Sequence, residues 1–197
     1  MHLETLLPTI GYFGMFLIVF AESGLFFGFF LPGDSLLFTA GFLASQGYFN
    51  VVTLAVGLFI AAVTGDSVGY WFGKKIGPKL FVKEDSFFFH KKNLIKAQSF
   101  YEKNGKKTIV IARFIPIVRT FAPIVAGIGN MHYSTFVSYN VIGGFVWTFG
   151  LTFGGYYLGK MIPNVDKYLL PIVLFIIIVS VLPTIKHLLY KEKDELK

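Results

Sequence analysis

The chain contains no cysteine, which excludes a disulfide framework and a thiolate metal site. Charge is scarce as well. Asp, Glu, Lys and Arg make up 15% of the residues, against about 25% in soluble domains, too few to coat a water-facing globule. P-loop, dinucleotide and metalloprotease fingerprints are all missing. Met1-His2-Leu3-Glu4 lacks a basic n-region and no small-residue cleavage site follows, so no cleaved signal peptide is expected. Lys193-Asp194-Glu195-Leu196 is followed by Lys197, so no C-terminal retention signal is expected either.

Apolar residues take the place of the missing charge. Of 197 residues, 54% are hydrophobic and 18% aromatic. Several runs approach or exceed the ~18 apolar residues that cross a bilayer. This is the composition of an integral membrane protein. Ile10–Gly47 is apolar but broken at Pro32-Gly33. Val51–Phe72 and Phe136–Leu158 are uninterrupted spans, and Tyr168–Leu189 is a third, carrying Pro171 and Pro183. Thr108–Gly129 is apolar but carries Arg113, Arg119, Pro116 and Pro123.

The net charge of +7 does not indicate nucleic acid, because the basic residues are not spread along the chain. Ten of the 18 lie between Lys74 and Lys107, and Lys186, Lys191, Lys193 and Lys197 flank the last apolar run. That is the positive-inside pattern, with loop 74–107 and the tail cytoplasmic. Two crossings then separate loop from tail, and Thr108–Gly129 must enter and leave on one side as a re-entrant hairpin. Its ~22 residues, broken near the middle, would give two half-helices of about 15 Å each. Ile10–Gly47 would behave similarly, or form a full span followed by a half-helix. Within the loop, Ser86 as cap and Leu94, Ala97 and Tyr101 at helical spacing predict an amphipathic helix on the cytoplasmic leaflet, ending at Asn104-Gly105. A solvated linker helix is the alternative.

The chain also repeats itself. A shift of 86 aligns Ala40-Gly41 with Ala126-Gly127, Gly57 with Gly143, and Gly69-Tyr70 with Gly155-Tyr156. With Val51, Phe59, Gly73-Lys74 and Ile76 and their equivalents, positions 40–76 yield ten identities without a gap. One span separates equivalent points, so the copies would be inverted. The fold expected is all-α: two inverted repeats, each a broken re-entrant hairpin plus a spanning helix, and a C-terminal transmembrane helix. As one domain over 1–197, it divides into repeat 1 (about 10–76), loop 77–107, repeat 2 (about 108–162) and helix 168–189. Inverted repeats with broken helices are a recurrent transporter plan.

Several local patterns read as structure. Glycines 65, 69, 73 and 77 recur every fourth residue and suit close helix approach. Asp66 beside them is a buried polar contact or a proton-handling acid, the former preferred. Gly33-Asp34-Ser35-Leu36 spells a lipase-like signature, but His2, His90, His132 and His187 include no base with an acid partner. No catalytic residue, cofactor or metal ligand is expected, and the chain reads as a non-enzyme. His132, at the end of the second broken stretch, suits an interface, and Trp71, Trp147, Tyr156 and Tyr157 suit aromatic belts or packing.

The strongest constellation is Glu22 and Asp34 in the first broken stretch with Arg113 and Arg119 in the second. An ionisable group at membrane depth costs roughly 2.5–3.5 kcal/mol on insertion scales. Such groups persist where they pair, face a cavity or handle a charged substrate. Salt bridges that hold the broken helices together would explain them structurally. Two guanidinium forks also match phosphate oxygens. Acids at that depth could exchange protons, since burial and a nearby arginine push a carboxylate in opposite directions.

These residues carry a resemblance. Phe20-Ala21-Glu22, with Phe30-Leu31-Pro32-Gly33-Asp34-Ser35-Leu36, resembles the first signature of the DedA membrane proteins. Arg113-Phe114-Ile115-Pro116-Ile117-Val118-Arg119-Thr120-Phe121-Ala122-Pro123, then Ala126-Gly127, resembles the second, continuing to Met131, Phe136, Asn140, Gly143 and Trp147. The resemblance covers roughly 10–190. It implies a bacterial inner-membrane protein related to eukaryotic VTT-domain scramblases, moving membrane lipid such as undecaprenyl phosphate or phosphatidylethanolamine. Some members are tied to the proton motive force and drug tolerance. It further implies that Glu22, Asp34, Arg113 and Arg119 are the functional positions.

The combined expectation is a flippase in which Arg113 and Arg119 hold a lipid phosphate while Glu22 and Asp34 handle protons. Pro32, Gly33, Pro116, Pro123 and Gly127 would shape the broken helices. The expected partners are a membrane lipid and protons, not nucleic acid, with a homo-oligomer left open. A proton-coupled cation or drug antiporter is the alternative, and a non-transporting scaffold the third.

Overall fold

A computed structural model describes residues 3–25, 33–80, 107–114 and 116–161. Among the described residues there are six helices and no strand. They are α1 Leu3–Gly24, α2 Gly33–Ser45, α3 Val51–Leu80, α4 Thr108–Ala112, α5 Pro116–Ile128 and α6 Tyr133–Met161. The expected C-terminal helix 168–189, the amphipathic helix expected within 81–106 and Pro32 lie outside the described residues.

Among the described residues, two helices are long and apolar enough to cross a membrane, over Val51–Ile76 and Tyr133–Met161. Both outrun the expected spans. Helix α3 continues past Lys74-Lys75 to Leu80, and Lys74 lays its chain over Tyr70 and Trp71, with Nζ 5.9 and 5.4 Å from the ring centroids. A lysine that runs its stem along aromatic faces need not end a helix. Helix α1, with 22 residues, is about 33 Å long, so the first broken stretch is a long helix followed by a short one.

The second break falls early rather than near the middle. Helix α4 has 5 residues and α5 has 13. Pro116 is the first residue of α5, where its missing N–H has no intrahelical partner to lose. Pro123 sits inside α5 and withdraws the donor that would close onto the Arg119 carbonyl.

Helix ends follow local chemistry. Asn50 Oδ1 caps α3, accepting from the backbone N–H groups of Val52 and Thr53 at 3.0 Å each. The hydroxyl of Tyr12 accepts from the Asn50 N–H at 2.6 Å, which ties α1 to that cap. Past α2, Gly47 takes φ +86° and the Tyr48 N–H returns to Leu43 O at 3.3 Å. Past α5, Asn130 takes φ +53° and the Met131 N–H returns to Ala126 O at 3.1 Å. Both are left-handed helix stops, made with the two residue types that tolerate that backbone.

The two most extensive helix packings cross between the halves of the chain. Helix α2 lies chiefly on α6, α5 on α3, α1 on α3, and α4 on α6. Glycine permits the closest approaches. A Cβ on Gly41 would overlap the Thr152 carbonyl, one on Gly127 the Tyr70 carbonyl, and one on Gly73 the Ile124 carbonyl. The four-residue glycine stripe on α3 therefore meets α1 through Gly65 and α5 through Gly69 and Gly73, as close helix packing requires.

Burial is inverted relative to a soluble domain. Glu22, Asp66, Arg113, Arg119, Asn140, Thr148 and Thr152 are buried. Large apolar side chains such as Phe13, Leu17, Val56, Ile60, Ile142, Phe145 and Met161 point outward. Water rewards the opposite arrangement, whereas a bilayer rewards this one.

Candidate functional site

Three acids and two arginines meet inside the bundle. Glu22 comes from the end of α1, Asp34 from the first turn of α2, and Asp66 from the middle of α3. Arg113 stands just past α4, and Arg119 is in the first turns of α5. Both arginines owe their position to the early break in the Thr108–Gly129 stretch, which lets one face α3 and α6 while the other faces α1 and α2.

Arg119 bridges the two acids of the first broken stretch. Its Nη2 donates to Glu22 Oε1, and its Nη1 donates to Asp34 Oδ1 at 2.6 Å. Trp147 Nε1 donates to the same Asp34 oxygen at 2.7 Å. The side chains of Glu22 and Arg119 are 0% and 5% exposed, whereas Asp34 is 44% exposed. Asp34 is thus the member of this cluster with access to the outside.

Arg113 is paired elsewhere. Its Nη2 donates to Asp66 Oδ2 at 2.5 Å. Its Nη1 donates to Asn140 twice, to the side-chain Oδ1 at 2.6 Å and the backbone oxygen at 3.0 Å. Asn140 in turn donates from Nδ2 to Val63 O at 3.1 Å, fastening α6 to α3 beside the ion pair. Gly143 and Gly144 make room for the guanidinium: a Cβ on Gly144 would lie 3.1 Å from Arg113 Nη1.

The indole of Trp147 connects the two clusters. Its ring centroid is 4.5 Å from Arg119 Cζ and 5.5 Å from Arg113 Cζ. Cations over an indole face are held by its quadrupole, more strongly where water is excluded. Trp147 is 3% exposed, so it belongs to the interior and not to an aromatic belt. Of the other aromatics expected in belts or packing, Trp71, at 50% exposed, and Tyr157, at 57%, face outward.

Of the expected site residues, the structure brings Glu22, Asp34 and Arg119 into one cluster and gives Arg113 a separate acid. Gly33 opens α2 directly against Glu22, and a Cβ there would overlap the Glu22 carboxylate. Its small size is therefore a requirement of the site as well as of the helix start. Pro116 and Pro123 shape α5, and Gly127 seats it on α3. His132 is exposed and accepts from the Phe136 N–H through its carbonyl at 3.0 Å.

Sequence reasoning understated Asp66, Asn140 and Trp147. A signal existed for each. Asp66 is an acid in a spanning run. Asn140, Gly143, Gly144, Trp147 and Thr148 recur at helical spacing along the buried face of α6.

The network is not saturated. Among the described residues, Glu22 Oε2, Asp66 Oδ1, Arg113 Nε and Arg119 Nε are buried without a hydrogen-bond partner. Unused donors and acceptors on both signs of charge leave room for exchange of partners, which a closed set of salt bridges would not. No group of three His, Asp or Glu among the described residues is placed to hold a metal ion.

The VTT domain matches residues 31–157. The chain is 49% identical over 187 residues to Protein DedA of Escherichia coli K12, covering 92% of this chain and 85% of that protein. It is 44% identical over 174 residues to the uncharacterized membrane protein Rv0364 of Mycobacterium tuberculosis H37Rv, covering 87% and 76%. It is 34% identical over 178 residues to the inner membrane protein YqjA of Escherichia coli K12, covering 84% and 79%. No solved structure matches the chain.

Proposed function

The chain belongs to the DedA family of VTT-domain membrane proteins, and on that premise we propose that it translocates a phosphate-bearing lipid across the bilayer. Undecaprenyl phosphate is the first candidate and phosphatidylethanolamine the second. Arg113 and Arg119 supply the positive charge for the phosphate. Glu22 and Asp34 take up and release protons, or exchange arginine partners, as the head group passes. The acyl or prenyl tail stays in lipid against the outward-facing apolar side chains.

One observation carries this reading. Arg119, buried in the bundle, is shared between a fully buried acid and a half-exposed one. A half-exposed partner adds little to a purely structural bridge, whereas a transport site needs an arginine that the outside can reach.

The architecture we propose with it is a pair of inverted repeats in the inner membrane, with the basic segment 74–107 and the tail cytoplasmic. Support comes from the matching elements. Helices α2 and α5 each follow a break, have 13 residues, and end in a left-handed stop before a long helix. Their starts are 83 apart (116 − 33), within one turn of the 86-residue shift. Each packs on the long helix of the other half, as two copies related by an axis in the membrane plane would.

A cation or proton antiporter is favoured by one feature: three acids face two arginines in the centre. The deciding experiment places purified protein in liposomes with labelled undecaprenyl phosphate or labelled phosphatidylethanolamine, with and without a pH gradient. Leaflet exchange that disappears with a folded Arg119→Ala variant supports lipid transport. No exchange of either lipid by folded wild type overturns it and promotes the antiporter.

A further inference from the structure

Two donors of different chemistry converge on one oxygen. Arg119 Nη1 reaches Asp34 Oδ1 at 2.6 Å and Trp147 Nε1 reaches the same atom at 2.7 Å. We infer that Arg119 and Trp147 form an oxyanion subsite for the phosphate of the transported lipid, and that Asp34 fills it as a tethered competitor which the phosphate displaces. This rests on the phosphate-lipid reading above and assigns its first contact.

The energetic asymmetry among the three acids decides which one yields. Removing the partner of a buried ion leaves an uncompensated charge in low dielectric, which is strongly unfavourable. Displacing Glu22 or Asp66 would do that, because their side chains are 0% and 5% exposed. Displacing Asp34 would not. Its side chain is 44% exposed, so its carboxylate can swing out of the cluster without being stranded in the interior. An entering phosphate then replaces one anion by another at Arg119, and the buried charge balance is kept.

The donors would stay in place during that exchange. The other arm of Arg119 remains on Glu22. Trp147 is anchored in the apolar core with Met15, Val19, Leu37 and Leu58, and both guanidinium groups lie within 5.5 Å of its ring centroid. Arg113 is the wrong first contact, since Asp66 and Asn140 already occupy both its terminal nitrogens. A nonbridging phosphate oxygen at the Asp34 Oδ1 position would sit 2.6 and 2.7 Å from the two donors, close to the about 2.7–2.9 Å of charge-assisted hydrogen bonds.

The test is isothermal titration calorimetry of the full-length protein in detergent, with dodecyl phosphate and, separately, inorganic phosphate. Asp34→Asn keeps the side-chain shape but removes the competing charge, and should bind dodecyl phosphate about tenfold more tightly than wild type. Trp147→Phe keeps the ring but loses the N–H, and should bind about fivefold to tenfold more weakly. Arg119→Ala should not bind. A gain of affinity cannot come from misfolding, so the Asp34→Asn arm decides even if another variant folds poorly. Unchanged or weaker binding by Asp34→Asn overturns the inference, as does unchanged binding by Trp147→Phe. If binding is present and Arg119-dependent while those two variants match wild type, the subsite falls and the phosphate reading stands. If neither wild type nor Asp34→Asn binds either probe, both fall. The same ranking with inorganic phosphate assigns the subsite to free phosphate, and binding of dodecyl phosphate alone assigns it to a lipid head group.

Discussion

Asp66 is the acid that neutralises Arg113: Oδ2 accepts from Nη2 at 2.5 Å, with the two side chains 5% and 3% exposed. The pair joins the middle of α3 to the break after α4 across 47 positions of sequence. Neither acid of the first broken stretch bonds Arg113 among the hydrogen bonds of the described residues, and the four-residue constellation is in fact a five-residue centre.

Asp66→Ala should therefore destabilise the protein severely. Breaking one side of a buried ion pair costs about 3–5 kcal/mol, and thermal unfolding in detergent should show a large fall in Tm. The double variant Asp66→Ala/Arg113→Ala should recover part of that loss, because no charge is then stranded. A single variant as stable as wild type would contradict the pairing.

Arg119→Lys should lose most lipid exchange, by about tenfold or more, since a point-charge ammonium lacks the fork that serves two acids at once. Nη1 and Nη2 go to different carboxylates, so the geometry needs both. Leaflet exchange in liposomes is the readout. Full activity of the lysine variant would mean that Arg119 is only a counter-ion, and would favour the antiporter.

Gly33→Ala should impair exchange more than its size suggests. The new Cβ would overlap the Glu22 carboxylate and push it off Arg119, where an ordinary helical Gly→Ala change is favourable by about 0.5–1 kcal/mol. A fall in exchange with near-normal helicity is expected. Wild-type exchange would show that Glu22 can move without consequence.

Gly41→Ala and Gly14→Ala separate packing from helix propensity. At Gly41 a Cβ would overlap the Thr152 carbonyl of α6, whereas at Gly14 nothing lies within 4 Å. Overpacking should cost about 1–3 kcal/mol at Gly41, against no loss or a slight gain at Gly14. Denaturation midpoints in detergent compare them directly, and equal midpoints would refute the close α2–α6 approach.

The charged centre was only half legible from the residues alone. Glu22, Asp34, Arg113 and Arg119 stand out because ionisable groups are costly in an apolar run. Asn140 and Trp147 do not, because an amide and an indole pass as ordinary members of a spanning helix. Their importance arises from what they meet: Trp147 meets Asp34 from 113 positions away, and Asn140 meets Arg113 and Val63. The second break falls at Pro116 as the sequence suggests, but its two half-helices are unequal for a local reason. Pro116 starts α5 instead of interrupting a helix, so α4 ends at Ala112.

Composition, the positions of proline and the depth of four charges determined, without coordinates, that this chain is helical, membrane-embedded and built around a polar interior. Those properties follow from one-dimensional facts: the length of an apolar run and the cost of a charge within it. Only the tertiary structure decided which acid neutralises which arginine. Glycine contacts bring α2 onto α6 and α5 onto α3, and that packing gives Glu22 and Asp34 to Arg119 while leaving Asp66 to Arg113. Ion pairs reach only a few ångströms, so partners are chosen by which helix faces touch, and spacing along the chain does not encode that.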